Sequence, residues 1–214
     1  MPKNILIVQG HPDPAGGHFC NALESAYANG ARHAGHDVSI IHASTSDFSI
    51  LRTQEEFDTG KLTADIKTAQ DSIQWADHLV IIYPLWLGTM PALLKGFFEQ
   101  VLRPNFGFLI KEDGRWEKRL KGRTARVVIT MGMPAFVYRW YFGAHSLRSL
   151  ERNILGFCGI APIRTSLIGM VDAPAPKGRL RWLARMENLV PAVTKMTSSA
   201  ARTNAHRSEP GQTR

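Results

Sequence analysis

The amino-acid sequence predicts a doubly wound α/β fold, a parallel sheet wrapped by helices on both faces. Five short apolar runs alternate with five helical patterns along the chain, the order that buries parallel strands between crossover helices. Four of the runs lack the clean period of two shown by half-exposed strands, as expected where both faces are covered. The first run empties into a Gly- and His-rich loop that opens a helix. Such a loop gathers backbone N–H groups and the positive end of a helix dipole, where an anion is at home.

In chain order, the first strand is Asn4–Gln9, followed by the loop Gly10 to His18 and a helix over Phe19–Ala34. Val38–His42 is the second strand, and Ser44–Gly60 after it is long enough to be a functional excursion. A helix over Thr63–Trp75 leads to the third strand, His78–Tyr83. The helix Pro91–Leu102 is the best defined. Met90, Leu93, Leu94, Phe97, Phe98, Val101 and Leu102 recur at helical spacing, Pro91 fits a first turn and Pro104 stops the run. Arg103–Gly122 is a second excursion. Strands Arg126–Met131 and Pro162–Ile168 and helices Gly143–Phe157 and Arg179–Lys195 complete the pattern. Residues 1–196 are expected to form one domain. Residues 197–214 contain no Leu, Ile, Val or Phe and are expected to be a disordered basic tail.

Composition narrows the function. With 214 residues, 44% hydrophobic and 21% charged, one sizeable core is the expectation. The formal charge of +8 is concentrated locally: Lys111 to Arg126 holds seven Lys/Arg against three Asp/Glu, and Lys177 to Arg185 four against none. These are clusters rather than a continuous stripe, and no RNP, KH or zinc-finger spacing accompanies them, so no nucleic-acid partner is expected. Cys20 and Cys158 stand far apart, in no metal-ligand spacing, which favours a reducing compartment. No metal site emerges. No apolar run approaches a signal segment or membrane span, so a cytoplasmic protein without membrane insertion is expected.

In a doubly wound sheet, ligands bind beyond the carboxyl ends of the strands. After the first strand come His11-Pro12-Asp13-Pro14-Ala15-Gly16-Gly17-His18, after the third Pro84-Leu85-Trp86-Leu87-Gly88, and after the fourth Thr130-Met131-Gly132-Met133-Pro134. His11 and His18 are candidate phosphate-side donors. Trp86, straight after a strand-ending Pro, is a candidate flat wall. Neither GxxxxGK[ST] nor GxGxxG is present, which argues against a P-loop and a dinucleotide Rossmann motif. One anion-taking loop beside two apolar loops suits a ligand with a phosphate at one end and a planar ring at the other, such as a flavin.

The segments Gly10-His11-Pro12-Asp13-Pro14, Phe19-Cys20-Asn21-Ala22-Leu23, Trp75-Ala76-Asp77, Tyr83-Pro84-Leu85-Trp86, Pro91-Ala92-Leu93-Leu94-Lys95-Gly96 and Phe106-Gly107-Phe108 together resemble the NAD(P)H:quinone oxidoreductases of the flavodoxin-like fold. This DT-diaphorase-like group also contains modulators of drug activity and ancillary proteins of potassium efflux systems. The likeness runs from about residue 4 to 170. It implies a flavodoxin-like three-layer sandwich with a five-stranded parallel sheet in the order 2-1-3-4-5. It also implies one FAD or FMN per subunit, and a homodimer with the active site at the subunit interface. By matching motifs, His11, His18, Phe19 and Asn21 fall around the flavin phosphate or ribityl chain, Pro84, Leu85, Trp86 and Leu87 against the ring, and Thr130 and Gly132 at its polar edge. The family's catalytic Tyr lands on Tyr138, and its His on Ala144, one residue short of His145. The chain departs from the family at Met131 and Met133, in a loop that is commonly Thr-Thr-Gly-Gly. It departs also at His18, where Ser or Thr is usual, and at Leu87, which replaces a frequent second aromatic.

The implied reaction is ping-pong: hydride from NAD(P)H to flavin N5, then from N5 to a quinone or similar acceptor, with the cofactor carrying the redox chemistry and the protein the placement. The alternatives are a flavin- or nucleotide-binding regulatory subunit peripherally associated with a potassium efflux-type transporter, and a flavodoxin-type electron carrier. Carriers of that type tend to be acidic, unlike this chain.

Overall fold

The computed structural model describes residues 2–172 and 176–190. The elements follow in the order β1 (Asn4–Gln9), α1 (Phe19–His33), β2 (Asp37–His42), α2 (Gln54–Thr59), α3 (Ala64–Trp75), β3 (His78–Pro84), α4 (Ala92–Val101), β4 (Phe108–Ile110), β5 (Trp116–Lys118), β6 (Thr124–Thr130), α5 (Ala135–Trp140), α6 (His145–Ser149), a π-helical stretch Leu150–Leu155, α7 (Gly156–Cys158), β7 (Ile163–Ile168) and α8 (Pro176–Asn188). The main sheet is parallel throughout, in the order β2-β1-β3-β6-β7. Counted along the parallel strands, this is the expected 2-1-3-4-5.

The near-continuous apolar strands feed two cores by alternation. Ile5 and Ile7 of β1, with Val80 and Ile82 of β3, pack with Leu23, Tyr27 and Ala31 of α1. Leu6, Val8, Leu79 and Ile81 point to the other face, against Ile66 and Ile73 of α3 and Leu94, Phe97 and Val101 of α4. Ile5, Leu6, Ile7 and Val8 are fully buried, each worth about 1.5–3 kcal/mol of transfer free energy. On the first face α8 lies across α1 so closely that a Cβ on Gly30 would fall 2.1 Å from the Glu187 carbonyl oxygen.

The structure shifts several expected limits. Pro84 extends β3, since its carbonyl end still registers with Thr130. Thr124 and Ala125 begin β6, and Met131 lies beyond it. The helix expected over Gly143–Phe157 starts at His145 and passes through the π-helical stretch to Cys158. α5 was not anticipated, because Pro134 suggests a break in sequence whereas here it occupies the N-cap. The last helix is described from Pro176 to Asn188 rather than Arg179 to Lys195. Its expected end, and the expected tail at 197–214, lie outside the described residues.

The two excursions hold small elements of their own. The first carries α2, capped where Thr53 Oγ1 accepts from the Glu56 N–H at 3.1 Å. The second carries the antiparallel β4–β5 hairpin, whose Phe108 and Trp116 pack on Phe157 with ring centroids 4.9 and 5.1 Å away. Buried Arg103 ties the excursions together, donating to the Gly60 carbonyl at 2.6 Å. Among the described residues no helix is long and apolar enough to cross a membrane.

Candidate functional site

At the carboxyl edge of the sheet, four loops are hydrogen-bonded into one rim. The Gly10 N–H donates to the Ile82 carbonyl at 2.7 Å, Leu85 N–H to Thr130 at 2.7 Å, Met131 N–H to Ile168 at 2.9 Å and Val171 N–H to Met131 at 3.2 Å. They enclose a cleft of about 420 Å3, within the range of small-molecule sites.

The β1–α1 loop is locked by its own side chains. His11 and His18 stack with centroids 3.7 Å apart and an interplanar angle of 16°, and His18 Nε2 lies 2.7 Å from Asp13 Oδ2. That contact with His18 holds the Asp13 carboxyl below its usual range. The His11 amide donates to Gln9 Oε1 at 3.1 Å, and Gln9 Nε2 in turn to Glu24 Oε2 at 3.0 Å. His11 Nδ1 accepts from the Asp13 N–H at 3.2 Å, so a neutral His11 carries its proton on Nε2 and can donate from there. Burial first, then the His18 charge, push the His11 pKa down. A neutral His11 adds a donor and no formal charge, so positive potential beside the two imidazoles is supplied by other groups. Two sources are present. Gly16 and Gly17, both at positive φ, turn the chain into α1, where the Phe19 and Cys20 N–H groups find no acceptor among the described residues and remain at the positive helix end. Arg179 of α8 also lines the cleft. Its Nε and Nη2 donate to the Val171 carbonyl at 3.2 and 2.6 Å, and its guanidinium lies 6.0 Å from the Phe19 ring centroid.

Trp86 forms the opposite wall. Trp86 and Thr89 exchange both backbone hydrogen bonds, at 2.9 and 3.0 Å, around a tight turn through Leu87 and Gly88 at positive φ. The indole is 51% exposed and meets His11 edge-on at 6.0 Å. Pro84 and Leu85 continue this wall. At the third side, Thr130 Oγ1 is 3.3 Å from Cys20 Sγ, and burial raises the Cys20 pKa to about 11, so the pair is a neutral contact. Gly132 faces Asp172, whose Oδ2 would lie 2.5 Å from a Cβ at that position. A side chain at that position would have to turn the exposed carboxylate aside.

Thus His11, His18, Phe19, Pro84, Leu85, Trp86, Thr130 and Gly132 all line the cleft, joined by Gly17, Cys20, Met131, Val171, Asp172 and Arg179. Asn21 and Leu87 do not. The Asn21 Oδ1 caps α1 by accepting from the His18 N–H at 3.1 Å, and the Leu87 side chain is bare at the turn tip. Tyr138 and His145 also stand outside the lining. The buried Tyr138 hydroxyl lies 2.7 Å from Ser146 Oγ and accepts from the Leu147 N–H at 3.2 Å, pinning α5 to α6. His145 is exposed beside Gly143. Asp172 and Arg179 went unnoticed in the sequence. Their signal was the Lys177–Arg185 cluster and the rule that every carboxyl-end loop, including the one after β7, can reach the site.

The chain is similar to a Haemophilus influenzae protein named an uncharacterized NAD(P)H oxidoreductase, 27% identical over 189 residues, covering 85% of this chain and 93% of the relative. It is also similar to the mouse ribosyldihydronicotinamide dehydrogenase [quinone], 26% identical over 214 residues, covering 87% and 92%. Among solved structures, the NAD(P)H:quinone oxidoreductase of Methanothermobacter marburgensis superposes with a TM-score of 0.76 over 88% of this chain and 97% of that one, at 24% identity, a likeness of fold. The family model for the flavodoxin-like fold, Flavodoxin_2, matches residues 3–189. With a parallel 2-1-3-4-5 sheet, a cleft at its carboxyl edge and that match along nearly all of the described chain, the protein belongs to the Flavodoxin_2 family.

Proposed function

We propose that the protein is a flavin-dependent NAD(P)H:quinone oxidoreductase. The observation that carries this reading is the polarity of the cleft: unpaired α1 amides and Arg179 at one end, the open Trp86 indole at the other. FMN or FAD held there would supply the hydride chemistry of a ping-pong reaction between NAD(P)H and a quinone-like acceptor.

The residues fit such a group. The Phe19 and Cys20 N–H groups, His11 Nε2–H and Arg179 would hold a phosphate, the carboxylate of the same loop, Asp13, being engaged by His18. Trp86, with Pro84 and Leu85, supplies a flat apolar wall that excludes water from one side of a ring. Asp172, beside Gly132, is an acceptor for a ring N–H. Tyr138 serves as a positioning residue, since it fixes α5 directly after the Thr130–Met133 segment, and His145 at the start of α6 is a second candidate near the same edge. One flavin per subunit, a homodimer and a cytoplasmic location complete the reading, supported by the family likeness.

The test is direct. The purified protein should be yellow, release one flavin per chain identifiable by mass, and oxidise NADH or NADPH with a benzoquinone in parallel-line steady-state kinetics. Colourless protein that takes up neither FMN nor FAD on reconstitution refutes the proposal.

A further inference from the structure

A second cleft, of about 610 Å3, opens on the free edge of β7, between α8 on one face of the sheet and α5 and α6 on the other. It shares no lining residue with the cofactor cleft. Its walls carry the guanidinium groups of Arg139, Arg148 and Arg185 and the indoles of Trp140 and Trp182, with Arg185 4.8 Å from the Trp182 ring centroid. The one lining carboxylate, Glu151, already accepts from Thr165 Oγ1 at 2.8 Å.

The floor adds a further positive charge. Ser166 lines the cleft, and its Oγ accepts from Arg126 Nη1 at 3.2 Å. Arg126 is only 6% exposed, and its Nε has no partner. Its other terminal nitrogen reaches the Leu189 carbonyl at 3.4 Å. Among the described residues no carboxylate pairs with it. A guanidinium keeps its proton at any physiological pH, so this buried cation calls for a counter-charge. Residues 191–214 are poorly suited to supply one, with Lys195, Arg202, Arg207 and Arg214 against the single Glu209. Ser166, accepting from Arg126, keeps its own proton for an acceptor in the cleft.

We propose that this edge cleft is a second binding site that takes the phosphate of an adenine nucleotide. The cleft offers three arginines and a hydroxyl donor, groups that match phosphate chemistry, and the Trp182 indole paired with the Arg185 guanidinium is a stacking platform for a base. The volume far exceeds that of inorganic phosphate. Two sources share this chemistry. One is the 2′-phosphate end of NADPH, in which case the site selects NADPH over NADH and the inference rests on the reductase reading above. The other is a free nucleotide acting as an effector.

Calorimetry on the protein as purified, with 2′,5′-ADP, 5′-AMP and inorganic phosphate as probes, tests the site in wild type and in Arg148→Ala and Arg185→Ala. Both side chains are exposed, so folding is preserved, and the near-UV spectrum checks it. Saturable 2′,5′-ADP binding that weakens roughly tenfold in each variant is expected, with inorganic phosphate far weaker. If NADPH is the source, kcat/KM for NADPH falls by a similar factor in the variants while that for NADH stays within about twofold. If the source is a free nucleotide, 5′-AMP binds as well as 2′,5′-ADP and neither kcat/KM moves. Absence of saturable nucleotide binding to wild type, or binding that both variants retain in full, overturns the site. A wild-type protein that oxidises neither nicotinamide nucleotide removes the reductase reading but leaves the calorimetric result to decide this one.

Discussion

Replacing Arg179 with Ala probes the proposed flavin cleft at the residue that tertiary structure brought to it. Arg179 is the only permanently charged cation lining the cleft among the described residues, since the neighbouring histidine, His11, is held toward its neutral form. A hydrogen bond to a charged group is worth about 1.5–3 kcal/mol, so a phosphate at the α1 end should lose roughly 10- to 150-fold in affinity. The same side chain anchors the Val171 carbonyl, and losing those bonds on an exposed loop should cost about 1 kcal/mol of folding stability. Flavin titration of apoprotein, followed by fluorescence quenching, measures the first effect, and urea unfolding of the same samples measures the second. Arg179→Lys keeps the charge but not the planar fork, and should fall between wild type and Ala. An Ala variant that binds flavin within about twofold of wild type would refute the placement of the phosphate beside α8.

Three other outcomes follow from packing and charge. His78 is buried and bonded to Thr124 at 2.7 Å, and burial above all, with Arg126 next, lowers its pKa to about 4. The unfolded chain therefore takes up this proton near pH 6.5 and the folded chain only near 4. Stability should fall as pH drops through that window, by about 2 kcal/mol between pH 7.5 and 5, and urea midpoints that stay level in wild type relative to His78→Gln contradict this. Gly30→Ala would push α8 off α1 at the Glu187 carbonyl, costing about 2–3 kcal/mol and weakening flavin binding through displaced Arg179; unchanged melting would show that α8 tolerates the shift. Tyr138→Phe strands the Leu147 N–H, so a loss of about 1–2 kcal/mol in stability is expected with kcat changed less than about threefold. A large fall in kcat at unchanged melting temperature would instead make Tyr138 a catalytic group.

The loops of the cleft were legible in the sequence because each is a short segment anchored to the end of a strand. A strand of Ile5 to Val8 followed by two glycines and a helix has few other ways to fold, and Trp86 two residues past the Pro84-ended strand has nowhere to hide. The hairpin β4–β5 was not legible, since three-residue strands leave no periodicity to detect. α5 was masked by a proline whose N-capping geometry is set by its surroundings. The fates of Asn21 and Tyr138 depend on which neighbour claims their polar atoms, the His18 amide in one case and Ser146 with Leu147 in the other.

By itself, the sequence determined the alternation of buried strands and helices and, from it, the edge of the sheet at which the proposed site lies. Periodicity and turn chemistry act over a few residues and are written where they act. Only the tertiary structure decided that Asp172 and Arg179, some 160 residues from the first loop, close the same cleft, and that buried Arg126, bonded to Ser166 of the edge cleft, has no carboxylate partner among the described residues. Those facts come from the close crossing of α8 over α1 and from the open edge of β7. Long-range packing sets both, and the basic cluster Lys177–Arg185 marks only one of its participants.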